Sequence, residues 1–382
     1  MDLSFTAEEE AFAADARQWL TEAVAAEPSP PAFESHDDEI AWGRRWQARL
    51  AAGRWVGIHW PAEYGGRSAT PIQVALFNAE YTRARAPQPV NRVGINLAGP
   101  TLLAHGTDDQ RQRWLPSILD ATELWCQLFS EPEAGSDLAS LRTVARWDES
   151  AGGWYLTGQK VWTSYARFAR WGICLARTDP DAAKHAGISY LVVDMEADGI
   201  EIRPLMQITG EAEFNEVFLD DVFVPADHLV GGLHDGWKVA STTLAHERGT
   251  AFPFKEQVVH ESYLEELWAD AVAGDRDADI GVADGLAQAW IELRLLRLHN
   301  WRTLTRLAAG EEPGPESSLV KLAWSDMTQH LSATALDVLG PDASLDGRWQ
   351  RQWLWSKAAS IAGGTSEIQR TILGERLLGL PK

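Results

Sequence analysis

Apolar residues recur at helical spacing over residues 7–27, where Phe12, Ala16, Trp19, Leu20 and Val24 share one stripe, and again over 38–53. Pro28, Pro30 and Pro31 separate the two runs. Trp60-Pro61-Ala62-Glu63-Tyr64-Gly65-Gly66 reads as a turn. Pro71 then suits the first position of a helix running to about Ala86. Thr107-Asp108-Asp109-Gln110 has the form of a capping box and predicts a helix through Trp114 to Leu119. Near residue 122 the pattern changes. Short runs rich in β-branched and aromatic residues follow at 124–129, 143–147, 153–157, 159–163, 172–178, 188–194, 200–205 and 216–218, with no helical stretch between them. They predict an antiparallel barrel or sandwich. From about Asp235 the helical period returns over 236–272, 281–310, 314–339 and 347–380, with Pro253 kinking the first run. Four long helices predict an up-and-down bundle. The expected class is α+β: an N-terminal helical domain (1–121), a central antiparallel β-barrel or sandwich (122–233) and a C-terminal four-helix bundle (234–382).

Composition narrows the function. The 382 residues carry a net charge of −21, which argues against sequence-independent nucleic-acid binding. A local group of Arg and helix N-termini still suits an anionic small molecule. No apolar run is long enough for a membrane helix, and the acidic start Met1-Asp2-Leu3 is unlike a signal peptide. Cys126 and Cys174 both sit in strand-like runs and read as buried free thiols, the usage of a cytoplasmic protein. The nineteen tryptophans show no fixed period and read mostly as core and interface residues.

Four segments carry candidate chemistry. They are Cys126-Gln127-Leu128-Phe129-Ser130-Glu131-Pro132-Glu133-Ala134-Gly135-Ser136-Asp137, then Gly158-Gln159-Lys160-Val161-Trp162-Thr163-Ser164, then 214–222 with Val224-Pro225, and last Ile361-Ala362-Gly363-Gly364-Thr365-Ser366-Glu367-Ile368-Gln369-Arg370. On residue types alone, Trp162 is a core residue, Ser136 a turn cap, Glu131 and Asp137 are solvated loop charges, and the last segment is a glycine turn capping a helix. Taken in order, with the helical–strand–helical arrangement, the four segments resemble the acyl-CoA dehydrogenase family over nearly the whole chain.

The resemblance implies FAD bound between the β domain and the C-terminal bundle, with an acyl-CoA thioester against the flavin. A carboxylate removes a proton from Cα, a hydride leaves Cβ for the flavin, and a trans-2-enoyl-CoA results. It also implies an electron-transfer flavoprotein or similar acceptor, a homo- or hetero-tetramer, and a place in fatty acid or steroid breakdown. Gln127, Phe129 and Ser130 match positions lining the flavin ring. Trp162 matches a cover over the ring, and Ser164 a hydrogen-bonding partner at its edge. Ser136 matches a position near the substrate chain. Gly364, Thr365 and Glu367 match positions along the ribityl and adenosine side.

The sequence also departs from the family pattern. Many members carry the catalytic glutamate where this chain has Gly363, although the Gly363 backbone N–H can still serve the thioester oxygen. A subset, including isovaleryl- and long-chain-type enzymes, carries the base on the first helix of the C-terminal bundle. Leu244-Ala245-His246-Glu247-Arg248-Gly249 matches that helix, so Glu247 falls on the base position, and Arg248 is a candidate to orient the helix end. The family's interface segment Arg-x-x-Phe-Gly is reduced to Arg276. Losses of this kind resemble the actinobacterial heteromeric branch acting on steroid side-chain CoA thioesters. The alternative expectation is therefore a non-catalytic or half-site partner subunit.

Overall fold

The computed structural model describes residues 5–28, 33–247, 251–311 and 314–381, without the side chains of 247 and 251–254. Helices α1 (Ala7–Ala26), α2 (His36–Ala52), α3 (Pro71–Arg83), α4 (Gly99–His105) and α5 (Asp108–Asp120) come first. The sequence signals for α3 and α5 hold. Thr70 with Gln73, and Thr107 with Gln110, form reciprocal capping boxes, and Pro71 opens α3.

The strands are β1 (Trp125–Leu128), β2 (Val144–Asp148), β3 (Gly153–Ser164), β4 (Trp171–Arg177), β5 (Ile188–Asp194), β6 (Ile200–Pro204), β7 (Phe214–Pro225) and β8 (Leu229–Val230). They form one open sheet in the order β6-β7-β3-β2-β4-β5-β8, with β1 pairing on β4. The expected barrel does not close, and the pairings of β4 with β1 and β2 are parallel. Two expected strands, 153–157 and 159–163, are a single strand. Gly158 does not end β3. It is the point of close approach to Thr143, whose Oγ1 an added Cβ would meet at 2.4 Å. Cys126 and Cys174 are buried free thiols, as expected, within a sheet core that also holds Leu156, Val217 and Val222.

Helices α6 (Gly236–Glu247), α7 (Ala251–Ala273), α8 (Ile280–Ala308), α9 (Glu316–Leu339), α10 (Arg348–Ala359) and α11 (Ser366–Ile372) complete the chain. The single run expected over 347–380 is broken at the glycines of the last motif. Among the described residues, no helix is long and apolar enough to cross a membrane.

Two compact units form the chain. One comprises residues 27–69 and 87–247, so α2, α4, α5 and α6 belong with the sheet. Trp46, Trp60 and Trp114 are fully buried there, and Trp114 stands edge-on to Trp125 and Trp171. The other unit comprises 1–26, 70–86 and 248–382, so α1 and α3 belong with the bundle. Its core runs through Leu267, Leu286, Ala289, Leu296 and Leu331.

Within the second unit, α1 and α3 are tied by a carboxylate. Glu80, 2% exposed, accepts from Arg17 Nε at 2.8 Å and from Arg83 Nη1 at 2.6 Å. Burial alone would raise its pKa, but the Arg17 hydrogen bond and both guanidinium charges outweigh burial and lower it. Glu80→Gln is expected to cost roughly 2 kcal/mol, less than a fully buried pair because both arginines stay exposed. A depressed carboxyl stabilises the fold above the ordinary carboxylate range and loses that effect as pH falls through its folded value. The gap between wild type and Glu80→Gln in urea unfolding should therefore shrink in acid.

Candidate functional site

In the sheet unit, the site is built on a fault in β3. Lys160 pairs with Val217 of β7, but Thr163 pairs with Asn215, so two residues of β3 stand opposite one of β7. The bulge re-aims a side chain. Val161 and Thr163 are buried, whereas Trp162 between them is 61% exposed, at a left-handed φ of +62°. Phe214 meets the indole edge-on, with ring centroids 6.0 Å apart. Asn215 Nδ2 donates to Thr163 O at 3.0 Å and fixes the far end of the bulge. Ser164 is half-buried two residues beyond Trp162 and pairs with Phe214.

Gln127 lies in β1 opposite Ile173 and is half-buried. Phe129 follows the strand, buried and edge-on to Tyr190. The Ser130 carbonyl accepts from Val161 N at 2.9 Å, which links the end of β1 to the bulge. The chain therefore brings Phe129, Ser130, Trp162 and Ser164 into one fastened neighbourhood. Ser136 is exposed in the loop beyond, beside Gly135, where an added Cβ would meet nothing within 4 Å. Asp137 is a solvated loop charge as the sequence suggests, with Lys184 Nζ donating to it at 2.6 Å. Glu131 is not: it is 7% exposed and bonded to the fully buried Lys160 at 2.8 Å. Sequence reasoning assigned Lys160 no role. The available signal was a cation at a buried position of a strand two residues before the outward Trp162.

Helix α6 carries the candidate base position. Val239, Ala240 and Thr243 are its buried stripe. Thr243 Oγ1 lies 2.8 Å from Thr101 Oγ1, and His105 Nε2 lies 2.8 Å from Thr242 Oγ1, which ties α6 to α4. Position 247 falls one turn after Thr243, at the last residue of the helix. The Glu247 side chain and all of Arg248 lie outside the described residues. Desolvation lowers the pKa of His246. It pushes His59 down to about 4, with the His246 charge as the second cause. Both histidines nonetheless expose part of their surface to solvent.

In the bundle unit, the last motif is a turn between α10 and α11. Gly363 and Gly364 take left-handed φ values of +66° and +92°. Gln369 Nε2 donates to both of their carbonyls at 3.2 Å, and Thr365 caps α11 by accepting from Ile368 N at 3.3 Å. Gln369, fully buried, is a positioning residue that the sequence reading missed. Glu367 is exposed at the N-terminal end of α11, where its own backbone N–H and then the Thr365 hydroxyl lower its pKa. Gly364→Ala would place a Cβ 2.7 Å from Gln369 Nε2 at a φ that side chains rarely adopt. A loss of about 1–3 kcal/mol in thermal unfolding is expected.

In the sheet unit, an open indole face with the Ser164 hydroxyl two residues on suits a planar, polar-edged ring system; in the bundle unit, taken by itself, a glycine turn at a helix N-terminus suits a polyol and anionic tail. The residues present fit a flavin dinucleotide. Among the described residues, no cluster of metal-ligating side chains occurs.

Comparison with known proteins agrees with this chemistry. Residues 6–122, 126–222 and 234–378 match the models described as the N-terminal, middle and C-terminal domains of acyl-CoA dehydrogenase. The chain is 43% identical to the acyl-CoA dehydrogenase IpdE1 of Mycobacterium tuberculosis, with 98% of each chain covered. It superposes on a chain of the ChsE4–ChsE5 complex of M. tuberculosis with a TM-score of 0.84 at 29% identity, covering 100% of both chains. The Tcur3481–Tcur3483 steroid ACAD gives a TM-score of 0.84 at 27% identity, again covering 100% of both.

Proposed function

The chain belongs to the acyl-CoA dehydrogenase family of FAD-dependent oxidoreductases, and we propose that it oxidises the Cα–Cβ bond of an acyl-CoA with Glu247 as base. When bound, FAD supplies the acceptor for the hydride that leaves Cβ. The chain's own residues do the rest. Phe129, Ser130, Trp162 and Ser164 hold the ring, with Gln127 beside them, while Gly364, Thr365 and Glu367 serve the dinucleotide tail. Ser136 contacts the substrate. The Gly363 N–H donates to the thioester oxygen and acidifies Cα. Glu247 takes the Cα proton onto a carboxylate oxygen, and its basicity grows as substrate displaces water. Arg248 orients the helix end.

One observation carries this reading: position 363 has no side chain, while position 247 extends the anchored stripe of α6 and carries a carboxylate. The substrate is a branched or sterol-derived acyl-CoA, a reading supported by structural relatives described as steroid ACADs. The assembly is a cytoplasmic homo- or hetero-tetramer that passes electrons to an electron-transfer flavoprotein or similar acceptor. Purified protein should be yellow and should bleach anaerobically with branched or steroid-chain acyl-CoA faster than with linear short chains. Equal bleaching by all chains would remove the substrate assignment.

A second reading, a half-site partner subunit, draws on Arg276. Its guanidinium sits against Gly340 of its own chain and lies 3.4 Å from Asp279, so it is engaged internally. On this reading the chain expressed alone is flavin-poor and is rescued by co-expression with its partner. A stable, fully flavinylated homotetramer rules it out.

A further inference from the structure

The sheet has a branch point at β4. On one edge of β4, β1 departs after Leu128 pairs with Cys174, and β2 arrives where Val144 pairs with Arg177. Leu175 lies in the gap between them. Its carbonyl accepts from Lys160 Nζ at 2.8 Å, so an ammonium from β3 stands in for a missing strand. The same ammonium donates to Phe129 O at 3.2 Å and to Glu131 Oε1 at 2.8 Å, which uses all three of its protons. Glu131 in turn accepts from Arg142 N at 2.6 Å, Thr143 N at 2.9 Å and Thr143 Oγ1 at 2.6 Å. Lys160 is 0% exposed and Glu131 7%. Both charges are fully bonded, the condition under which a buried polar network rigidifies its surroundings.

The location of the pair gives it a use beyond closing the sheet. Lys160 is the last residue of β3 in register before the bulge that turns Trp162 outward. The next residue, Val161, donates to Ser130 O instead of continuing the β7 ladder. Phe129 O, Ser130 O and the Glu131 carboxylate are thus held in succession by Lys160 Nζ, Val161 N and Lys160 Nζ. Peptide 129–131 and the bulge move as one piece or not at all.

We propose that the Lys160–Glu131 pair is the positioning element of the flavin wall: it locks the end of β1 to the β3 bulge and so presets Phe129, Ser130 and Trp162 for the fused ring. The proposal rests on the reading of those residues as that wall. Neither side chain of the pair touches the cofactor. Their effect is to remove the freedom that binding would otherwise have to freeze out.

The test measures FAD affinity by reconstitution of the deflavinated protein in its flavin-bearing assembly, for wild type, Lys160→Met, Glu131→Gln and the milder Thr143→Val. Leu156→Ala, in the same sheet core but away from the 129–131 peptide, is the control for general destabilisation. All are compared at temperatures giving equal folded fractions. Lys160→Met and Glu131→Gln should raise the FAD Kd roughly 10–100-fold, the range typical of a lost supporting shell. They should also flatten the resolved shoulder of the bound flavin's visible band. Thr143→Val should move both readouts less, in the same direction, and it keeps the test open if the charge variants do not fold. An unchanged Kd in Thr143→Val, or an equal rise in Leu156→Ala, overturns the proposal. Wild type that binds no FAD with any partner overturns the wall reading itself, a different result from binding that the variants leave untouched.

Discussion

Replacing Glu247 by glutamine should leave FAD bound and slow anaerobic bleaching by acyl-CoA roughly 10²–10⁴-fold, the contribution of a positioned general base. The amide has the carboxylate's shape but cannot accept the Cα proton. The described anchors of α6 lie elsewhere, at Val239, Ala240 and Thr243 with the Thr101 and His105 contacts. The loss should therefore appear in kcat and leave KM close to wild type, the pattern of an interaction made only in the transition state. Glu247→Asp keeps the charge but withdraws it by one methylene, and it should fall between the two. His246 is the nearest alternative base in sequence, but it stands about 100° around the helix from position 247. Full bleaching speed in Glu247→Gln would end the assignment and shift weight to the partner-subunit reading.

The largest effect on stability is expected from Lys160→Met. Removing one member of a buried, hydrogen-bonded pair strands the other, at a cost of about 3–5 kcal/mol. Glu131 would keep its charge and three donors, while Phe129 O and Leu175 O would lose theirs. Substituting both members would not restore stability as it does for some isolated buried pairs. Arg142 N and Thr143 N depend on the Glu131 carboxylate, and an apolar residue there would leave both without an acceptor. The pH dependence follows from the same contacts. Burial alone would raise the Glu131 pKa, but the Lys160 charge and hydrogen bond, with those of Thr143 and Arg142, bring it below the ordinary value. A depressed carboxyl contributes stability above the ordinary carboxylate range, and that contribution is lost as pH falls through the folded value. Wild type should therefore lose stability in acid faster than Lys160→Met. Denaturant melts from neutral pH down through the carboxylate range should show the two curves converging; parallel curves would show that the pair is not coupled.

Local signals made several turns and helix ends legible. The capping box at Thr107 needs only four consecutive residues, and it formed. Gly363-Gly364 announces a turn that other residues resist, and the left-handed φ values bear this out. The motif around Trp162 marked an aromatic of interest, but not why it faces outward. That depends on a one-residue register fault against β7, and the fault is a property of two strands fifty residues apart. Glu131 was misread for a related reason. A Glu-Pro-Glu loop reads as solvated, and only the arrival of Lys160 from β3 makes burial of that carboxylate affordable.

By itself the sequence determined the order of helical and strand segments, the family, the absence of a carboxylate at 363 and its presence at 247. All of these are read from residue types and short-range periodicity. Tertiary structure alone decided that the sheet stays open and branches at β4, that Trp162 is thrown outward on a bulge, and that a buried ammonium holds the end of β1 beside that bulge. The physical reason is that strand register and buried charge are settled by partners distant in sequence. No window along the chain contains both halves of such a contact.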